Sequence, residues 1–308
     1  MNHVDEYDFV ASEITTLKTL LATIPPEDVI DRMSLESRLT QAQSELATLP
    51  KPVRLPTVCL TFRGKAVAGS RSISADFGAK ALDAFSEVFT AVTAGTTTDL
   101  SSRGPIPDKD KNQLRIVGTA VGSFGFELEL PQDTTESCPA TAPDDTLRKI
   151  ETLLTALATG NDDEVTDIVA DLPQRTVSLL NKFLDVLVKN ESWCGLSYGN
   201  KKFYYENFEQ VKESANRLAD SNVHNDVVAL QGKFKGFFPI ERKFEFLPAE
   251  ETDRKGAIHG KIDIAIEEPD VLNREWLEKP VAVTFHTMQI GRGKPRFTLK
   301  SLDALALR

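Results

Sequence analysis

Val10, Ile14, Leu17, Leu21 and Ile24 step along the chain by 4, 3, 4 and 3 residues, and Leu35, Leu39, Ala42, Leu46 and Leu49 repeat the same stepping. That alternation returns an apolar side chain to one side of an α-helix at every turn, so both runs predict amphipathic helices. Pro25-Pro26 lies between them and cannot sit inside a continuous helix. Glu27, Asp28 and Asp31 follow, acids suited to the partial positive charge of a new helix's first turn. Residues 1–50 are therefore predicted to be a helical hairpin arm. Each stripe runs for only about two heptads, short of an independent coiled coil, so the helices must lean on each other or on another surface. As an oligomerisation or docking surface the arm would use Val10, Ile14, Leu17, Leu21, Leu35, Leu39 and Leu46; the plainer alternative is a hairpin packed within its own domain. Pro50, Pro52 and Pro56 predict a stiff, extended exit.

At 308 residues the chain exceeds what one hydrophobic core usually serves, and further units are expected. Residues 51–143 predict an antiparallel α+β domain. Val58 to Phe62 and Ala66 to Ile73 are short β-type runs around the turn Arg63-Gly64-Lys65. A helix then opens near Ser74 to Asp76 and presents Ala81, Leu82, Phe85, Val88, Phe89 and Val92 on one face. After a loop rich in Thr, Ser, Gly and Pro comes a hairpin. It places Leu114, Ile116 and Gly118 on one strand and alternates Phe124, Phe126, Leu128 and Leu130 with Gly125, Glu127 and Glu129 on the next, which predicts one buried and one wet face. A linker with Pro131, Pro139 and Pro143 follows.

Residues 144–220 predict a helical segment with one strand hairpin. Leu147, Ile150, Leu153, Leu154 and Leu157 share a helix face, as do Val165, Ile168, Val169 and Leu172, and then Val177, Leu180, Leu184 and Leu187. Gly160 and Pro173 punctuate these helices, and Asn161 or Asp162 caps the second. A turn at Gly199-Asn200 carries Trp193, Tyr198, Tyr204 and Tyr205 around it, aromatics expected to seal this hairpin against the helices. Residues 221–308 change to strand character, with runs at 227–238, 243–247, 257–266, 280–288 and 295–302. Their spacing suits a small antiparallel β-barrel of OB or SH3-like shape. The fold class is thus α+β.

The patterns that would announce chemistry are incomplete. Gly64 and Gly69 have phosphate-loop spacing, but Ser70-Arg71 stands where Lys and Ser or Thr are needed, and no helix follows directly. Gly118, Gly122 and Gly125 fall within a hairpin, away from any helix N-terminus. Cys59, Cys138 and Cys194 are odd in number and far apart, against a disulfide framework or a zinc site. His3, His224, His259 and His286 show no ligand spacing, although His259 and His286 could meet near Asp263. No cofactor, metal or catalytic residue is expected. The acidic opening Met1-Asn2-His3-Val4-Asp5-Glu6 lacks the basic and apolar parts of a secretory leader, and no apolar run reaches spanning length, so a cytoplasmic protein without a membrane partner is expected.

Charge divides unevenly. Residues 1–220 hold 22 basic and 33 acidic side chains, while residues 221–308 hold 14 and 13. A polyanion would therefore be met only by the C-terminal barrel, where Arg292, Lys294 and Arg296 crowd a glycine-bearing turn beside Phe297, with Phe234 and Phe237 as further stacking candidates. The expectation is a non-enzymatic adaptor, regulatory or accessory subunit that meets a protein partner or self-associates through the hairpin. The alternatives are a nucleic-acid-binding protein using the barrel loop and an enzyme of unrecognised type.

Overall fold

The computed structural model describes residues 3–50, 55–95, 100, 104–120, 124–131, 143–250 and 256–307. Pro52, Gly122, Cys138 and Pro139 lie outside the described residues. The chain divides into two compact units, residues 1–55 and 56–308.

In the first unit α1 (His3–Thr23) and α2 (Val29–Thr48) run antiparallel about the Pro25-Pro26 break. The stripe is buried between them: Val10, Ile14, Leu17 and Ala42 form the centre, and Leu35, Leu39, Leu46 and Leu49 pack against it. Two side chains fasten the pair. Arg38 donates to Glu13 at 2.8 Å, and Arg32 donates to the carbonyls of Leu21 and Ile24, which the end of α1 leaves without intrahelical partners.

The second unit begins with β1 (Thr57–Gly64), whose Val58, Leu60 and Phe62 point into the core at every second residue. The return run does not pair with it. β2 (Val67–Ala68) and β3 (Ser72–Ile73) pair with each other, and β1 lies instead between two strands from far along the chain. After α3 (Ala75–Ala94) come β4 (Arg115–Thr119) and β5 (Phe124–Glu129), and β5 pairs with β1. After α4 (Pro143–Thr159), α5 (Asp162–Val169) and α6 (Gln174–Lys189) come β6 (Ser192–Tyr198), β7 (Lys201–Tyr204) and α7 (Phe208–Leu218). β6 pairs with the other edge of β1, completing an antiparallel sheet in the order β4-β5-β1-β6-β7. The sheet therefore crosses the boundary expected at residue 143, and one core joins β1, β5 and β6 to α3, α4, α6 and α7. Gly125 explains how closely β5 meets β1: a Cβ there would lie 2.6 Å from the Thr61 Cα. On the edge strand β4, Ile116 and Val117 are exposed, so the buried face expected for this hairpin belongs to β5 alone.

The C-terminal part is a closed five-stranded barrel. β8 (Val223–Phe238) is long and bends at a bulge between Phe234 and Gly236, so its end pairs with β9 (Lys243–Pro248) and most of its length with β11 (Pro280–Ile290). β10 (Ile258–Ile262) pairs with β9, and β12 (Arg296–Leu299) closes the ring by pairing with β10 and β11. α8 (Asp270–Glu275) connects β10 to β11, and β13 (Leu305–Leu307) extends β11 outside the ring. The β10–β12 seam is parallel, unlike the purely antiparallel barrel expected. Between the two expected shapes, the bulged first strand, the five-stranded closure and this seam favour the OB type. Phe234, Phe244, Phe246 and Phe285 fill the interior with ring contacts of 4.9–6.2 Å. Phe234 and Phe237 are buried here, which removes them as stacking residues for a ligand.

Candidate interaction surfaces

The basic turn 291–296 sits against α5. Asn161 and Glu164 form a capping box at the start of that helix, which leaves Asp162 and Asp163 free to face the turn. Asp162 accepts from the Arg292 backbone N–H at 3.1 Å, and Asp163 accepts from that of Lys294 at 2.5 Å. Beneath them Thr166, fully buried, donates to the Asp162 carbonyl and accepts from the Ile290 N–H at 3.1 Å. Gly293 permits this approach: a Cβ there would lie 2.7 Å from the Asp162 carbonyl oxygen and 2.8 Å from Thr166 Oγ1. Further along, Arg296 pairs with Asp167 and Lys261 with Asp171. The glycine-bearing turn that reads as a polyanion contact in the sequence is thus a latch that fastens the barrel to an acidic helix of the same chain. The Arg292 and Lys294 side chains remain exposed, Arg296 is engaged and Phe297 is half-buried.

Two clefts flank the Lys261–Asp171 pair. The first, about 490 Å³, lies between α5 and the β9–β10–β12 face; Phe238, Phe244 and Phe297 supply its apolar wall, and Lys243, His259 and Glu241 its polar rim. The second, about 700 Å³, contains His286, Asp263, Asp226 and Lys300. His286 and Asp263 thus share a cleft that His259 does not line. Burial pushes the Lys261 ammonium below the usual lysine range, with Arg296 acting in the same sense and Asp167 against it. Among the described residues no group of three His, Cys, Asp or Glu side chains could hold a metal ion. Burial also pushes the Cys194 thiol up to about 12 and raises that of Cys59, with Glu127 adding to the effect at Cys59, so neither is a poised nucleophile.

The aromatics of the β6–β7 hairpin divide between core and surface. Tyr198 donates to Glu151 at 2.7 Å, Tyr205 packs edge-on against Phe203 at 5.0 Å, and Tyr204 lies outside, half exposed, over Gly195.

On the hairpin, Val10, Ile14 and Leu17 are buried, and Leu21, Leu35, Leu39 and Leu46 are half-buried. They hold the two helices together. The apolar side chains that face water are others: Ile30 at 84% exposure, Met33 at 64%, Phe9 at 63%, Val29 at 57% and Leu20 at 45%. Ile30 and Met33 fall on the side of α2 turned away from Leu35 and Leu39 at 100° per residue, Val29 lies on its flank, and Leu20 is in the last turns of α1. They are off the 4-3 stripe, and that offset is the sequence signal that could have found them.

The chain is an α+β protein made of a helical hairpin and a sheet-and-helix body that carries a closed barrel. No protein-family model matches it, and no curated protein or solved structure does so either. No helix among the described residues is long and apolar enough to cross a membrane.

Proposed function

We propose that this chain is a non-enzymatic adaptor or accessory subunit acting through protein–protein contacts, with the helical hairpin as its docking arm. The observation that carries the reading is the outward strip of the hairpin. Its stripe is already used internally, yet Leu20, Val29, Ile30 and Met33 remain in water at the tip. Each such side chain contributes roughly 1.5–3 kcal/mol when fully buried, so a partner covering the tip gains several kcal/mol before the costs of association. Exposed apolar clusters with a charged rim mark contact sites more often than scattered surface residues do.

The test is the full-length chain with Ile30→Glu and Met33→Glu. Both positions are exposed and Glu is a good helix former, so the fold should be retained. The parent should hold its partner through purification and sizing, and the variant and a chain starting at Leu55 should lose it. Equal retention by all three removes the docking arm.

A second reading, nucleic-acid binding at the barrel, draws support from the OB-type strand arrangement and from Phe238, Phe297 and Lys243 along the first cleft. Against it, Arg296 and Lys261 are already paired with Asp167 and Asp171. Failure to bind a labelled single strand at low salt ends this reading.

A further inference from the structure

We infer that the partner segment taken by the hairpin tip is a basic amphipathic helix; this rests on the docking reading above and adds the chemistry of the occupant. Met33 lies three residues after Ile30 and four after Val29, so the three side chains share one side of α2 against which a helix can be laid. Beyond Met33 the strip continues through Ser37, Thr40 and Ser44, exposed and uncharged, so a helix lying along it buries no unpaired charge. Rising at about 1.5 Å per residue, this track is long enough for roughly four turns of a partner helix.

Charge selects the occupant. Glu27 and Asp28, both exposed, immediately precede the apolar strip, and Glu36, also exposed, falls on its Val29 flank at 100° per residue. The nearest base on α2, Arg32, is turned onto the carbonyls of Leu21 and Ile24 and onto Glu36, and Lys18 on α1 is the other base close to the tip. Residues 1–50 carry 9 acidic side chains against 3 Lys and Arg, so a second copy of the hairpin would bring like charge to the rim. A helix with Lys or Arg flanking its apolar stripe brings the opposite sign.

The experiment uses the full chain and two synthetic 18-residue helical peptides with the same leucine stripe, one flanked by lysines and the other by glutamates. In fluorescence anisotropy the lysine peptide should bind at least about tenfold more tightly than the glutamate peptide, and added salt should weaken it. Ile30→Glu with Met33→Glu should weaken lysine-peptide binding at least about tenfold. Thr152→Glu with Thr155→Glu, which adds the same charge elsewhere, should not. The paired design separates docking from bulk attraction, because both variants make the protein more acidic. Lysine-peptide binding that is unchanged or tighter in the tip variant overturns the inference, as do equal binding of the glutamate peptide and a tip-dependent doubling of mass in sedimentation. If the chain starting at Leu55 binds the lysine peptide as tightly as the full chain, the docking arm itself is refuted. If binding needs the tip but ignores peptide charge, only the chemistry assigned here is.

Discussion

Thr166→Val removes one oxygen atom from the joint between barrel and helix while keeping the side chain's shape. Thr166 Oγ1 is the acceptor for the Ile290 N–H at 3.1 Å in a fully buried setting, and it also donates to the Asp162 carbonyl. Valine leaves that N–H buried without an acceptor, which costs about 1–3 kcal/mol. For a unit of this size about 2 kcal/mol corresponds to a fall of roughly 4–8 °C in melting temperature. The assay is thermal unfolding, with urea unfolding as a check that the transition keeps its slope. Thr166→Ser keeps the oxygen and loses a methyl, so it should lie between the parent and the valine variant. Hydrogen exchange at Ile290 and Arg292 should rise in the valine variant before the sheet core is affected. A valine variant within about 0.5 kcal/mol of the parent, or a serine variant that is the worse of the two, would refute the latch.

Gly125→Ala should destabilise the body by about 3 kcal/mol or more, because the new Cβ would press on the Leu60 carbonyl and lie 2.6 Å from the Thr61 Cα; the urea midpoint reads this directly. Asp171→Asn should change stability by less than about 1 kcal/mol, since Lys261 and Asp171 keep 42% and 53% of their side-chain surface in solvent. Alkaline pH should unfold the protein early. The folded Cys194 thiol titrates near 12 against 9.0 for a free thiol, and Tyr198 and Tyr205 are raised too, mainly by burial. The unfolded chain therefore releases the Cys194 proton first; its contribution is full below about pH 9 and falls with rising pH by up to about 1.4 kcal/mol per unit until the folded thiol ionises. Urea midpoints at pH 8, 9 and 10 that do not fall would contradict this.

The elements with strong local patterns were legible in the sequence. Both hairpin helices and α3 to α6 follow from a 3.6-residue period, and the five barrel strands from runs of strand character, together with Pro, Gly and Asn punctuation. The neighbours of β1 were not, because strands paired with residues 124–129 and 192–198 leave no local trace, and the nearby run 66–73 imitated a hairpin partner. The latch was missed for a related reason. Asp162 reads locally as a helix cap, and Arg292, Lys294 and Arg296 as a free basic turn; each reading is locally sound, but the two segments complement each other across about 130 residues. On the hairpin, the regular stripe is the stronger local pattern, and the exposed residues lie outside it. Val10, Ile14 and Leu17 were the conspicuous apolar positions and are spent on internal packing, whereas Val29, Ile30 and Met33 break the period and stay exposed.

That the hairpin tip is where this chain meets its partner is tested most directly by amide hydrogen exchange on the full-length protein with and without the lysine-flanked peptide. The expected result is slowed exchange confined to the hairpin, along α2 from Val29 to about Ser44 and in the last turn of α1, with the β9–β10–β12 face and residues 291–297 unchanged. Protection on the barrel with none on the hairpin would contradict the account.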